Sequence, residues 1–197
     1  MPVSAPILPP TGFIDRIKGF ATAQSRSLWN YLKMSSVLLY SQVAASSAIT
    51  GAQESSTAFD KYYTVLANAP EAGSVLRGSA WGKHTAATGS ETHTLALKLG
   101  SQAIFTSGNL DPATNDYWQI DFEIVFRTVG ASGTIVARAT LSYGASGAAG
   151  TVERYFLDST SFDTTADNIL AVYMDRQGTA TDSDSARQDS MVVVSMS

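Results

Sequence analysis

The stretch that decides the fold is residues 117–127, which read YWQIDFEIVFR. Apolar and polar residues alternate along it. One face carries the apolar side chains Ile120, Phe122, Ile124 and Phe126. The other face carries Gln119, Asp121, Glu123 and Arg127. Because successive side chains of a β-strand point to opposite faces, the alternation predicts a strand with one face in the core and the other in water.

The same period of two continues on both sides of this strand. A glycine-containing turn at 130–133 leads into an alternating stretch at 134–143, and another such stretch at 93–99 ends at a turn. Further strands are predicted at 75–81, 102–106, 151–157, 168–175 and 190–196. About eight strands with turn residues between them predict a mainly β fold. We expect an antiparallel, jelly-roll-like sandwich over residues 70–197, with a closed eight-stranded barrel as the alternative.

The first 69 residues have a different pattern. Four prolines lie within the first ten residues, which predicts an extended arm over residues 1–12. From residue 13 to about residue 42, apolar residues recur at steps of three and four, as in a helix. A second short helix is predicted from about residue 56 to residue 68, before Pro70. Residues 13–69 are therefore predicted to form a helical anchor and assembly region.

Six large side chains of this region are the candidate docking and assembly residues: Phe13, Ile17, Leu28, Trp29, Tyr31 and Leu32. Trp29 and Tyr31 lie beside the stripe formed by Leu28 and Leu32, so the first helix is apolar around more than one face. Such a helix must be covered by something. Because the helical region is small, we expect the cover to be another subunit or the sandwich itself.

Composition argues against several classes of function. The chain has 197 residues, no cysteine, a net charge of −4 and only 15% charged residues. The lack of cysteine excludes disulfides, thiolate zinc sites and cysteine nucleophiles. Its basic residues are scattered singly, which argues against a nucleic-acid partner. Serines and glutamines interrupt the uncharged run at 34–53, which argues against a membrane span.

Two outward carboxylates are the first candidates for chemistry. Asp121 and Glu123 share a strand face at a separation of roughly 7 Å, a distance found in inverting glycosidases. Outward positions of an amphipathic strand are usually charged and solvated, however. Arg138 on the next strand is close enough to neutralise one carboxylate. We therefore predict a solvated surface here and no catalytic residue.

Two histidines are the candidates for a metal site or a base. His84 and His93 flank the connection at 85–92 and could approach each other across a hairpin. Their spacing fits no zinc motif and Glu91 is the one nearby carboxylate, so His93 is predicted to be a semi-buried member of its Leu-rich strand. The acidic segment 182–189 lacks the glycine and glutamate of an EF-hand loop, so it is predicted to be a solvated loop. No metal or cofactor is predicted.

Four stretches and the last strand resemble a β-sandwich found in virion proteins of tailed bacteriophages: residues 76–82, 95–100, 118–134, 165–172 and 191–196. The resemblance covers roughly residues 74–197 and rests on patterned hairpins. It implies a jelly-roll-like module, commonly trimeric, that serves in capsid decoration, head fibres or tail fibres. It implies no catalytic residues.

Together these observations predict a non-enzymatic structural protein of a phage virion. We expect a homotrimeric capsid-surface decoration or cement protein that docks on other virion proteins, such as a major capsid or tail protein, through residues 1–69. One alternative is a short head-fibre or tail-fibre protein that binds a receptor. Another is a carbohydrate-binding module that stacks a surface glycan on Trp81, Tyr117 or Trp118. Neither nucleic acid nor a membrane is an expected partner.

Overall fold

A computed structural model of the chain describes residues 37–50, 53–85, 92–111, 115–145, 150–177 and 185–196. Every regular element among these residues is a β-strand, and none of them belongs to a helix that could cross a membrane. The strands are β1 (Val37–Ser41), β2 (Ile49–Thr50), β3 (Gln53–Ala58), β4 (Tyr63–Val65), β5 (Val75–Thr85), β6 (Thr92–Leu99), β7 (Gln102–Thr106), β8 (Asp116–Thr128), β9 (Gly133–Ala145), β10 (Thr151–Phe162), β11 (Asn168–Gln177) and β12 (Ser185–Met196).

The strands form two antiparallel sheets. The seven-stranded sheet A has the order β1-β12-β5-β8-β9-β10, with β2 also paired to β12. The five-stranded sheet B has the order β3-β11-β6-β7, with β4 also paired to β11. Apolar side chains from both sheets pack into one buried cluster. The predicted antiparallel sandwich is therefore confirmed for the described part of the chain.

The alternation in the sequence is reproduced as alternating burial. Along the first half of β8 the side chains are buried and exposed in turn, and Ile120 and Ile124 are completely buried. The eight predicted strands from residue 75 onward coincide with β5 to β12. Burial of these apolar faces is the main favourable contribution to folding.

The helices predicted before residue 70 are wrong wherever the structure describes the chain. β1 occupies the end of the first predicted helix, and β3 and β4 overlap the second. The backbone of β1 bonds to β12, and that of β3 and β4 bonds to β11. Pairing with neighbouring strands thus overrides the local spacing of three and four. Four strands of the two sheets lie before residue 70, within the region predicted to be helical.

The N-terminal predictions up to residue 36 lie outside the described residues. These are the extended arm at 1–12, most of the first helix and all six candidate docking residues, Phe13 to Leu32. They stay predictions.

Two glycines of β5 leave room for aromatic rings of β8. Gly78 pairs with Phe122 across the sheet, and Gly82 pairs with Trp118. A Cβ atom at Gly82 would overlap both the Trp118 ring and the carbonyl oxygen of Arg187. Each ring therefore covers a glycine on the neighbouring strand, and the two rings fill the core between the sheets.

Gly82→Ala is expected to lower the free energy of unfolding by about 1–3 kcal/mol, because backbone and a buried ring would both have to move. Urea denaturation of the two proteins measures the difference. Gly108→Ala is the matched control, since a Cβ there meets nothing within 4 Å. Equal effects of the two substitutions would show that the overlap at Gly82 is relieved without cost.

Candidate functional site

An open groove of about 300 Å³ lies on sheet A, where β5 and β9 end and β8 begins. We call it the aromatic groove. Its lining residues are Trp81, Tyr117, Trp118, Gln119, Ser142, Tyr143, Gly144, Ala145 and Gly150. None of these lining residues carries a charged side chain.

Strand register places three of the lining side chains in one row. Trp81 on β5 pairs with Gln119 on β8, which pairs with Ser142 on β9. Tyr117 is two residues from Gln119 on the same strand and therefore points from the same outer face. Trp81 is 42% exposed and Tyr117 is 38% exposed. The Lys83 ammonium group lies 5.8 Å from the centre of the Tyr117 ring, which is within reach of a cation–π contact.

Trp118 does not belong to the exposed platform, and its prediction as a stacking residue is wrong. Its side chain is 1% exposed and stacks on Phe59, with ring centres 5.7 Å apart. The sequence contained the signal that places it there. Trp118 has the same parity as Ile120 and Phe122, so it shares their buried face.

The two outward carboxylates lie on the same outer face, where Glu123 forms ion pairs and Asp121 accepts hydrogen bonds from an amide. Glu123 accepts hydrogen bonds from Arg77 Nε and, at 3.2 Å, from a guanidinium NH2 group of Arg138. Gln119 donates its amide N–H groups to Asp121 at 3.0 and 3.2 Å. The predicted neutralisation by Arg138 is confirmed. Pairs this exposed contribute at most about 1 kcal/mol to stability.

The two histidines meet inside the sandwich and form what we call the buried histidine pair. His84 on β5 and His93 on β6 are both completely buried, and their Nδ1 atoms lie 3.0 Å apart. One Nδ1 must donate a proton to this bond and the other must accept it, so the accepting ring is neutral and carries its proton on Nε2. The predicted approach is confirmed, but it joins strands of the two sheets and not the two arms of a hairpin, and His93 is more buried than predicted.

Charged and polar groups surround the buried histidine pair on several strands. Arg176 of β11 pairs with His93 in sheet B and is 2% exposed. The Tyr143 ring of β9 meets the His84 ring edge-on at 5.9 Å between centres. Burial raises the pKa of Tyr143, and the Asp116 carboxylate of β8 raises it further.

The electrostatic environment keeps His84 neutral. Burial, the neighbouring His93 ring and the positive charge of Arg176 lower the pKa of His84 to about 3. Within the described residues, no three His, Asp or Glu side chains lie close enough together to hold a metal ion. The Arg176 charge would also repel a cation at this position. Glu91, which was the nearby carboxylate in the sequence, lies outside the described residues.

The acidic segment is only partly described. Asp182 and Asp184 lie outside the described residues, so the prediction of a solvated loop is not tested there. Asp189 lies on β12 and forms an ion pair with Arg187, with 2.7 Å between Asp189 Oδ1 and Arg187 Nε.

Comparison with known proteins gives structural neighbours only. The sequence matches no protein-family profile and no curated protein. Among solved structures, the chain is similar to the lectin UEA-II complexed with galactose, with 11% identity and a TM-score of 0.39 over 82% of this chain and 98% of that one. It is also similar to the winged bean acidic lectin complexed with methyl-α-D-galactose, with 6% identity and a TM-score of 0.32 over 82% and 99%. At this level the likeness carries no functional argument.

Proposed function

We infer that this chain is a non-enzymatic structural and interaction protein of a tailed-phage virion, most specifically a homotrimeric decoration or cement protein. The observation that carries the proposal is the strand order. Four strands of sheet A, β1-β12-β5-β8, face four strands of sheet B, β3-β11-β6-β7. In these two sets of four, every pair of neighbours except β6 and β7 is non-consecutive in sequence, because the chain crosses repeatedly between the sheets.

This crossing order is that of a jelly roll, a fold used by viral capsid domains and by lectins. β9 and β10 extend sheet A beyond the four-on-four arrangement. The step from this fold to a virion role is an analogy at the level of the fold. It agrees with the resemblance of residues 74–197 to phage virion sandwiches.

The proposal assigns the docking role to the N-terminal region. Among the described strands, β1 lies at one edge of sheet A and pairs with β12, and its side chains Val37 and Leu38 are more than half exposed. Exposed apolar residues at a sheet edge favour contact with another chain. Residues 1–36 join the sandwich at this edge. The docking segment of the proposal is therefore 1–36 together with β1, and the region 37–69 is largely part of the sandwich.

Incorporation into particles tests the proposal. The full chain and a truncation starting at residue 37, which keeps the twelve strands that the structure describes, are supplied with an affinity tag to cells producing phage from the genome that encodes the chain. Particles banded on a density gradient are then analysed by quantitative mass spectrometry. The full chain should be present at a fixed ratio to the capsid subunit, and the truncation should be missing.

Two results would contradict the proposal. The full chain found only in the cell extract would remove the virion assignment. Equal incorporation of the truncation would remove the docking role of residues 1–36. A copy number far below that of the capsid subunit would instead favour the fibre alternative over the decoration protein.

A further inference from the structure

The aromatic groove combines two exposed aromatic faces with neutral polar groups. Trp81 and Tyr117 are diagonal neighbours on β5 and β8, a relation that places their Cβ atoms roughly 7–8 Å apart. Each keeps more than a third of its surface exposed. Large aromatic side chains usually contribute most to stability or binding when they are buried. Two exposed rings in one groove therefore indicate a surface that a ligand covers.

Hydrogen-bonding groups border the rings in a fixed arrangement. The Gln119 amide nitrogen is held by the Asp121 carboxylate, which leaves the Gln119 amide oxygen turned away from that carboxylate as an acceptor. Ser142 adds a hydroxyl group that can donate and accept, in the same row across the sheet. Both side chains are neutral, as are all the other lining residues.

We propose that the aromatic groove binds a neutral saccharide, with a pyranose ring stacked on Trp81 or Tyr117. The apolar C–H face of a pyranose carries a weak positive potential that suits the negative face of an aromatic ring. The hydroxyl groups at the edge of the sugar then bond to Gln119 and Ser142. Saccharide binding goes beyond the proposed virion role and does not depend on it.

The size and charge of the groove favour this ligand over a macromolecule. A volume of about 300 Å³ lies at the lower end of small-ligand sites, whereas a stable protein partner needs about 800 Å² of surface on each side. Single-stranded nucleic acid also stacks on aromatic rings, but it needs a positively charged groove along its backbone. The lining residues carry no charge, and the nearby Lys83, 5.8 Å from the centre of the Tyr117 ring, is a single cation that cannot track a nucleic-acid backbone.

Glycan binding by the full chain tests the proposal. The probe is an array of neutral glycans ending in glucose, galactose, mannose, N-acetylglucosamine or N-acetylgalactosamine, and calorimetry follows with the best-bound sugar. A single sugar ring should bind with a Kd of about 1 mM. Of Trp81→Ala and Tyr117→Ala, the one that removes the stacking ring should weaken binding about tenfold, and Tyr117→Phe should bind like the unchanged chain.

The matched control is Phe156→Ala. Phe156 is 79% exposed on β10, which also belongs to sheet A, but it lies outside the groove. This substitution should leave glycan binding unchanged, and unchanged melting temperatures would show that all variants are folded. The proposal is overturned if the full chain binds no neutral glycan, if it binds only acidic glycans, or if Trp81→Ala and Tyr117→Ala bind as well as Phe156→Ala. These outcomes leave the virion assignment unaffected, since particle incorporation is measured separately.

Discussion

Lowering the pH from 7 to 4 is expected to reduce the free energy of unfolding by about 3 kcal/mol through His84 alone. In the unfolded chain His84 takes up a proton near its ordinary pKa of 6.5, whereas the folded protein holds that pKa at about 3. The unfolded state therefore binds more protons between these two values. Stability contributed by the neutral ring is complete above pH 6.5 and is lost as the pH falls toward 3.

The pH window separates this effect from that of the carboxylates. The hydroxyl groups of Ser47 and Thr165 lower the pKa of Asp60 and of Asp163, respectively, by bonding to the charged form. A carboxylate with a lowered pKa contributes stability above its ordinary value of 3.8, and loses it only as the pH falls further. A loss of stability between pH 6.5 and 4 is therefore attributed to His84 and not to these two carboxylates.

Two measurements check this prediction. Urea denaturation at pH 7, 5.5 and 4 gives the stability difference, and NMR titration gives the protonation of each ring in the folded protein. The chain has only two histidines, so the spectrum contains only the pair itself. His84 should stay neutral in the folded state down to about pH 4. A folded His84 that titrates near 6.5 would contradict the prediction.

A variant without the pair provides the control for the pH dependence. His84→Gln together with His93→Gln removes both titrating rings while keeping neutral polar groups at the two positions. The variant should start from a lower stability at pH 7, because a buried hydrogen bond has been replaced. Its stability should then change little between pH 6.5 and 4.

Trp118→Ala is expected to lower the free energy of unfolding by about 3–5 kcal/mol. The Trp118 ring covers Gly82 within sheet A and stacks on Phe59, whose backbone N–H bonds to Val172 in sheet B. Removing the ring would leave a cavity between the sheets that the strands on either side cannot close. Urea denaturation at pH 7 measures the loss.

Trp81→Ala is the matched control for Trp118→Ala, because Trp81 belongs to the neighbouring strand but points to the outer face. It should cost less than about 1 kcal/mol, since surface substitutions have small effects. If Trp118→Ala does not fold, Trp118→Phe keeps part of the ring and should lose roughly half as much. Equal losses at positions 81 and 118 would mean that the Trp118 ring is not a core contact.

The sequence predicts the strands from residue 75 onward because each has one apolar and one polar face. It does not predict β1 to β4, for a physical reason. β1 reads VLLYS and is mostly exposed, so it has no alternation to detect. β3 reads QESSTA and is polar except for its last residue, Ala58. The backbone pairing with β12 and β11 determines these strands, and that pairing is a property of the folded chain.

The candidate functional sites, like the strands, could be predicted from the sequence only in part. Parity along β5 and β8 places Trp81 and Tyr117 on the outer face, so the aromatic groove could be predicted in part. The buried histidine pair could be predicted only as an approach of two rings. Its charged neighbour Arg176 lies far along the chain and is placed opposite His93 by the pairing of β11 with β6. No local pattern contains that contact.

The position of β12 has a consequence for how the protein is made. β12 lies between β1 and β5 in sheet A, and its residues Met191 and Val193 are completely buried. During synthesis β1 and β5 leave the ribosome long before β12, and each then has an unpaired edge. Unpaired strand edges and exposed apolar surface make incomplete chains prone to aggregate. Sheet A can therefore be completed only when residues 185–196 have been translated, and until then the edges of β1 and β5 are open to pairing with other chains.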